Sequence, residues 1–232
     1  MTPRDWTRHP PARTPGYFSS IPRAPRKGLI PLDPDAAALT GPVFGARDIG
    51  AMDGDLIRNA AAPGEMAIGP RIVVHGRVLD EAGRGVPGAL LEIWQANTGG
   101  RYRHARDGYL APLDPNFAGA GRVLTGEDGG YRFDTVMPGA YPFPNGPNAW
   151  RPAHIHFSVF GRAFAQRLVT QMYFEGDPMI RRCPIAATLP SAEAVAALTA
   201  RYDPDHDRPM DARAFRFDIV LRGRRETPVE AG

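Results

Sequence analysis

From Arg71 onward, apolar residues recur in short runs bounded by Gly, Pro and Asp rather than with a sustained helical period. The runs are Arg71 to Leu79, Ala89 to Trp94, Gly130 to Phe133, His154 to Val159, Arg167 to Tyr173 and Phe215 to Leu221. Each is rich in β-branched or aromatic residues, the composition of a half-buried pleated surface. Gly83 and Gly85 in DEAGRGVPG mark a hairpin turn after the first run, and Glu127-Asp128-Gly129 marks a turn before the third. Together they predict a mainly β protein: an antiparallel β-sandwich with long loops. One short C-terminal helix is expected over Ala192 to Tyr202, capped by Ser191, because Val195, Leu198 and Tyr202 recur at helical spacing.

Residues 1–65 are rich in Pro, Arg and Ala and show no sustained period. Trp6, Tyr17, Phe18 and Phe44 are costly to leave in water, so this stretch is expected to be an extended N-terminal arm packed on the sandwich or on a partner chain. Residues 66–232 would then form the sandwich domain, with no internal repeat.

The fourth run carries the most chemistry. In HIHFSVF, His154, His156 and Ser158 fall on one face of a strand and Ile155, Phe157 and Val159 on the other. Two imidazoles about two residues of rise apart suit cis positions on one metal. If Ile155, Phe157 and Val159 fill the core, the histidines face outward. They then need cover from the 97–129 loop, the 141–153 loop, the N-terminal arm or another chain. The approach to the strand, YPFPNGPNAWRPA, carries Pro142, Pro144, Pro147 and Pro152, each of which fixes φ and restrains its predecessor. Such a loop holds Tyr141 and Arg151 in place with little regular structure.

Composition narrows the chemistry. A chain of 232 residues at 43% hydrophobic and 23% charged is an ordinary globular length and balance, and a net charge of +3 makes no case for nucleic-acid binding. Lys27 is the only lysine and sits among prolines, which argues against a lysine nucleophile. Cys183 is alone, so no intrachain disulfide forms, and the N-terminus has no apolar signal core. With no long apolar run, a cytoplasmic location is expected. No His-Glu-x-x-His or Cys-x-x-Cys pattern occurs, and no carboxylate lies close to the two histidines in sequence. The nearby hard donors are tyrosines, a choice that favours a highly charged ion.

Four motifs carry a resemblance to a known family: GGRYRH (Gly99 to His104), YLAPLDPNF (Tyr109 to Phe117), RPAHIHF (Arg151 to Phe157) and TQMYFEGDP (Thr170 to Pro178). In these, and in their mutual spacing from about Trp6 to Arg225, the chain resembles the intradiol ring-cleaving dioxygenases. Within that family it is most similar to the β chains of the hetero-oligomeric members. The resemblance implies a non-haem Fe(III) centre held by Tyr102, Tyr141, His154 and His156. It implies that Tyr141 leaves the metal as substrate binds and then serves as a base, and that Arg151 stabilises negative charge on the ring. It further implies a pocket lined by Tyr17, Trp94, Phe143, Gln171, Tyr173 and Ile185. The expected reaction is cleavage of protocatechuate by O2 between its hydroxylated carbons, in aromatic-compound catabolism. The expected partner is a homologous α chain.

Two positions depart from the family pattern: Phe143 and Pro144 stand where its β chains usually have Trp and then Arg. Phe keeps an apolar wall without the indole donor, and Pro removes a positive charge near the pocket mouth. These changes bear on substrate preference more than on reaction type. The alternatives are a homo-oligomeric dioxygenase for catechol or hydroxyquinol, whose helical N-terminal domain has no counterpart in this leader, and a non-catalytic sandwich used for binding.

Overall fold

A computed structural model of the chain describes residues 5–28, 49–161 and 167–230. Phe44, expected to pack within the arm, lies outside the described residues. The fold is mainly β, with strands β1 (Arg71–Leu79), β2 (Leu90–Gln95), β3 (Ala120–Leu124), β4 (Gly130–Val136), β5 (Tyr141–Pro142), β6 (Trp150–Arg151), β7 (His154–Phe160), β8 (Arg167–Phe174), β9 (Thr199–Tyr202), β10 (Ala212–Arg216) and β11 (Ile219–Val220). Among the described residues the helices are short: α1 (Ser20–Arg23), α2 (Ala192–Ala197) and several single 3-10 turns.

One layer contains β4, β1 and β10; the other contains β8, β7, β2 and β3. Strand β9 joins them, its first half parallel to β8 and its second half antiparallel to β10. A strand that switches sheets makes a corner, and the two inner faces then close on one core. In β1, Ile72, Val74 and Val78 point into that core, as do Ile155, Phe157 and Val159 of β7. Across it, the Phe157 ring lies 5.9 Å from Phe133, 6.3 Å from Tyr131 and 5.4 Å from Phe217. Burying one such ring is worth about 1.5–3 kcal/mol, so this aromatic cluster fixes the position of β7.

Several details differ from the pattern reading. The sheets are not purely antiparallel, since β1 runs parallel to both β10 and β11. The turn at Gly83 forms, with Gly83 N–H donating to Asp80 O and Val86 N–H to Val78 O, yet β1 and β2 enter different layers. Strand β3 was not expected, because AGRVL opens on Ala, Gly and Arg and shows no apolar alternation; Gly121 is required there, since a Cβ would overlap Asp53 O and the Leu56 side chain. The helix at Ala192 begins as expected, with Ala194 N–H donating to Ser191 Oγ at 3.2 Å, but it stops at Ala197. Thr199–Tyr202 pairs with two strands instead. Backbone pairing to both layers outweighs the weak helical preference of that stretch.

The outer face of β7 is covered within the chain: His154, His156 and Ser158 are all buried. The 97–119 and 141–151 segments supply part of the cover. The C-terminal tail, which the pattern did not suggest, supplies more, through Glu230 N–H to Val169 O at 2.8 Å and Thr170 Oγ1–H to Pro228 O at 2.7 Å. The N-terminal arm is tied to the same region. Val229 N–H donates to His9 Nδ1, and Asn145 accepts from Phe18 N–H and donates to Gly16 O.

Candidate metal centre

Strand alternation places His154 and His156 together, and the register of β7 sets Tyr173 beside His154 and Gln171 beside His156 on β8. The tyrosines arrive from two loops. Gly100, at φ +83°, and Gly139 allow these loops to touch: a Cβ on Gly100 would overlap Ala140 O, and one on Gly139 would overlap Thr98 O. Asn97 shapes the first loop by accepting from the N–H groups of Gly99 and Arg101, and Asp107 accepts the Tyr102 N–H at 2.8 Å. The second loop returns through a two-residue ribbon in which Tyr141 of β5 faces Arg151 of β6.

The four side chains meet. Tyr102 Oη lies 3.5 Å and Tyr141 Oη 3.2 Å from His154 Nε2. The His154 and His156 ring centres are 4.9 Å apart, those of Tyr102 and Tyr141 5.6 Å, and those of Tyr102 and His156 6.4 Å. His154 Nδ1 sits 2.7 Å from Pro152 O, and His156 Nδ1 3.0 Å from Glu230 Oε2. A carbonyl and a carboxylate accept, so both Nδ1 atoms carry the proton and Nε2 is the lone-pair nitrogen of each ring. Trp94 stacks on His156 at 4.9 Å with its plane 3° away, which fixes the ring's tilt.

Burial pushes the Tyr102 phenol well above its usual range, with Tyr141 adding to the rise. Burial also raises Tyr141, but the Arg151 charge pulls it back. His154 is held well below the usual imidazole range by burial, then by Arg151 and His156. Burial opposes ionisation of Glu230, yet His156 and Arg151 outweigh it and leave the carboxyl below its ordinary value. Two imidazoles and two phenols beside a buried cation form a donor set suited to a hard trivalent ion, whose binding would displace the phenol protons.

Arg151 is 2% exposed and donates through Nη2 to Gln171 Oε1. Its Nε is buried without a hydrogen-bond partner, a donor left over for something else. Burial works against its charge, but Tyr173, Cys183 and Tyr141 outweigh that effect and raise its pKa. Phe143 lies under the guanidinium at 5.7 Å, and Tyr17 packs 6.1 Å from Phe143. Tyr17 Oη accepts from Arg23 Nη2 at 2.7 Å, which leaves its own O–H free to donate.

Trp94, Tyr102, Tyr141 and Phe143 line a cleft of about 780 Å³ whose other wall is His104 to Leu110. Gln171 and Tyr173 are fully buried behind the histidines rather than on that wall. Tyr17, packed behind Phe143, and Ile185, near Cys183, belong to the core and are not among the residues lining the cleft. Glu230 and Arg23 were missed by the sequence reading, whereas the 104–110 wall lies within the 97–129 loop expected to cover the histidines. Glu230 lies 74 positions from its histidine, and no local spacing marks it.

A sequence profile described as Dioxygenase matches residues 39–223, and one described as Protocatechuate 3,4-dioxygenase beta subunit N terminal matches residues 2–35. The chain is 53% identical over 230 residues to the protocatechuate 3,4-dioxygenase beta chain of Burkholderia cepacia, covering 99% of this chain and 97% of that one. It is 31% identical over 163 residues to the alpha chain from the same organism, covering 69% of this chain and 77% of that one. Among solved structures it resembles the hydroxyquinol 1,2-dioxygenase of Pseudomonas putida DLL-E4, with a TM-score of 0.55 and 26% identity over 82% of this chain and 65% of the other. Among the described residues, no helix is long and apolar enough to cross a membrane.

Proposed function

This chain belongs to the intradiol ring-cleavage dioxygenases, a family that uses non-haem iron, and from that premise we propose that it is the iron-bearing β chain of an enzyme cleaving protocatechuate with O2. The product is 3-carboxy-cis,cis-muconate. The observation that carries this reading is the meeting of Tyr102, Tyr141, His154 and His156, with the Nδ1 of each imidazole already engaged. Tyr102, Tyr141, His154 and His156 would hold Fe(III). When bound, the iron supplies Lewis acidity and a binding point for the two catechol oxygens.

The protein's own groups do the rest. Tyr141 lines the cleft, and burial, only partly offset by the Arg151 charge, makes its phenolate a strong base; in that deprotonated form, which iron binding would create, its Oη would receive a proton from a substrate hydroxyl. Arg151, anchored by Gln171 and with Nε unspent, stabilises negative charge as the ring opens. Tyr17 donates its free O–H to the ring carboxylate, and Arg23 behind it supplies the matching positive charge. That pair compensates for the charge that Pro144 does not provide. Phe143 forms the apolar wall.

A homologous α chain completes the assembly. Leu110, which is 93% exposed at the rim of the cleft, and Leu113 and Phe18, also exposed, support cover by another chain. The test is oxygen uptake by the iron-loaded αβ assembly. One mole of O2 should disappear per mole of protocatechuate, with catechol turned over more slowly because it leaves Tyr17 and Arg23 without a partner. Equal turnover of both substrates would remove the role given to Tyr17.

Two further expectations follow from the geometry. Glu230→Gln keeps the size but weakens the grip on His156 Nδ1–H, so iron affinity should fall about tenfold; equilibrium dialysis against a ferric chelator measures it. Because burial keeps both phenols protonated in the metal-free site, iron must displace their protons. Apparent affinity should therefore rise with pH, by up to about a hundredfold per pH unit for two protons, and fall on acidification. A pH-independent uptake would mean that no phenol is deprotonated on binding.

A further inference from the structure

We propose that His75, Asp203 and His206 form a second metal site, separate from the iron centre, that takes a borderline divalent cation of the Zn²⁺ class. His75 points from the outer face of β1, the face opposite Ile72, Val74 and Val78. On that face the chain after β9 folds back over the sheet, with Asp203 N–H donating to Ala214 O and Arg208 N–H to Ala212 O. Pro204 starts a single 3-10 turn, Pro204–His206, which sets Asp203 and His206 three positions apart on the side facing His75.

The donor atoms already surround one point. Asp203 Oδ2 lies 3.1 Å from His75 Nε2 and 3.0 Å from His206 Nδ1, and the three ligand atoms all fall within 4.8 Å of one another. Tetrahedral ligation at about 2.0–2.1 Å separates donors by roughly 3.3 Å, so two of the three spacings need little adjustment. The imidazole rings stack at 4.3 Å and 28°, an arrangement that keeps both nitrogens beside the same carboxylate oxygen. His75 Nε2 is buried and makes no aligned hydrogen bond, even to the nearby carboxylate. A buried nitrogen of this kind ordinarily has a partner, and a cation seated between the three groups would be one.

Chemistry selects the ion. Two imidazoles and one carboxylate, with no thiolate and no phenol, suit Zn²⁺, Co²⁺ or Ni²⁺ better than Ca²⁺, Mg²⁺ or Fe³⁺. Three protein ligands leave a fourth position for water. The flanking cations are occupied: Arg216, level with His75 on β10, is bonded to Asp218 at 2.9 Å, and Arg132, level with it on β4, lies 3.8 Å from Asp134. The whole core separates this site from the iron centre, because β1 and β7 lie in different layers and turn their histidines away from each other. Bound metal would pin the 203–206 turn to β1 without entering the oxygenase reaction.

The experiment titrates Zn²⁺ alone into the iron-replete αβ assembly by calorimetry, followed by metal analysis and thermal unfolding. One Zn²⁺ per β chain beyond the iron is expected, and it should raise the unfolding temperature. His206 is more than half exposed, so His206→Gln leaves the fold intact. His206→Gln and Asp203→Asn should each weaken Zn²⁺ binding at least tenfold and abolish the thermal shift, while iron content and turnover stay within about twofold. No uptake by the unaltered assembly, or equal uptake by both variants, overturns the proposal.

Discussion

His154→Ala is expected to yield protein that folds but carries almost no iron and has lost at least a thousandfold in protocatechuate turnover, about 4 kcal/mol. His154 sits where every other donor can be measured against it, 3.2 Å from Tyr141 Oη and 3.5 Å from Tyr102 Oη. Its Nδ1–H is spent on Pro152 O, so the ring has one tautomer and one lone pair directed at the phenols. Removing it also leaves a buried void beside Tyr173, which costs stability. Thermal unfolding distinguishes the two effects: a folded but iron-free variant supports the metal role, whereas one that retains iron and turnover removes His154 from the centre.

The second large effect is at Arg151. Arg151→Lys keeps a positive charge but loses the planar fork that bonds Gln171 while leaving Nε available. Turnover should fall about a hundredfold, ~2.7 kcal/mol of transition-state stabilisation. Iron content should be unchanged, because the guanidinium is not among the proposed ligands. Steady-state kinetics with metal analysis on one preparation decides it. Undiminished turnover would reduce Arg151 to a packing residue over Phe143.

How much of this could be read from the chain differs residue by residue. The pairing of His154 with His156 was legible because strand alternation is local, and β7 follows that alternation into the core through Ile155, Phe157 and Val159. That Tyr102 belongs with them was not legible from pattern. It depends on two loops touching at Gly100 and Gly139, a contact between chain segments some forty residues apart, and only the family resemblance suggested it. Glu230 was invisible for the same reason, and more so, since its position rests on a tail laid across β8. The stretch Thr199–Tyr202 misled because Val195, Leu198 and Tyr202 happen to share a helical spacing, while backbone partners in both layers decide its state. Cover for the histidines was rightly expected, but part of it comes from the chain's own C-terminus rather than from another molecule.

The His75, Asp203 and His206 cluster gives the decisive experiment a built-in contrast, since it offers imidazoles without phenols on the other outer face. That experiment is an anomalous-difference map of iron-loaded αβ crystals, collected at the iron edge. The account predicts one strong peak per β chain, within bonding distance of Tyr102 Oη, Tyr141 Oη and the Nε2 atoms of His154 and His156. A peak bound only by the two histidines, or located at His75 and Asp203, would contradict it.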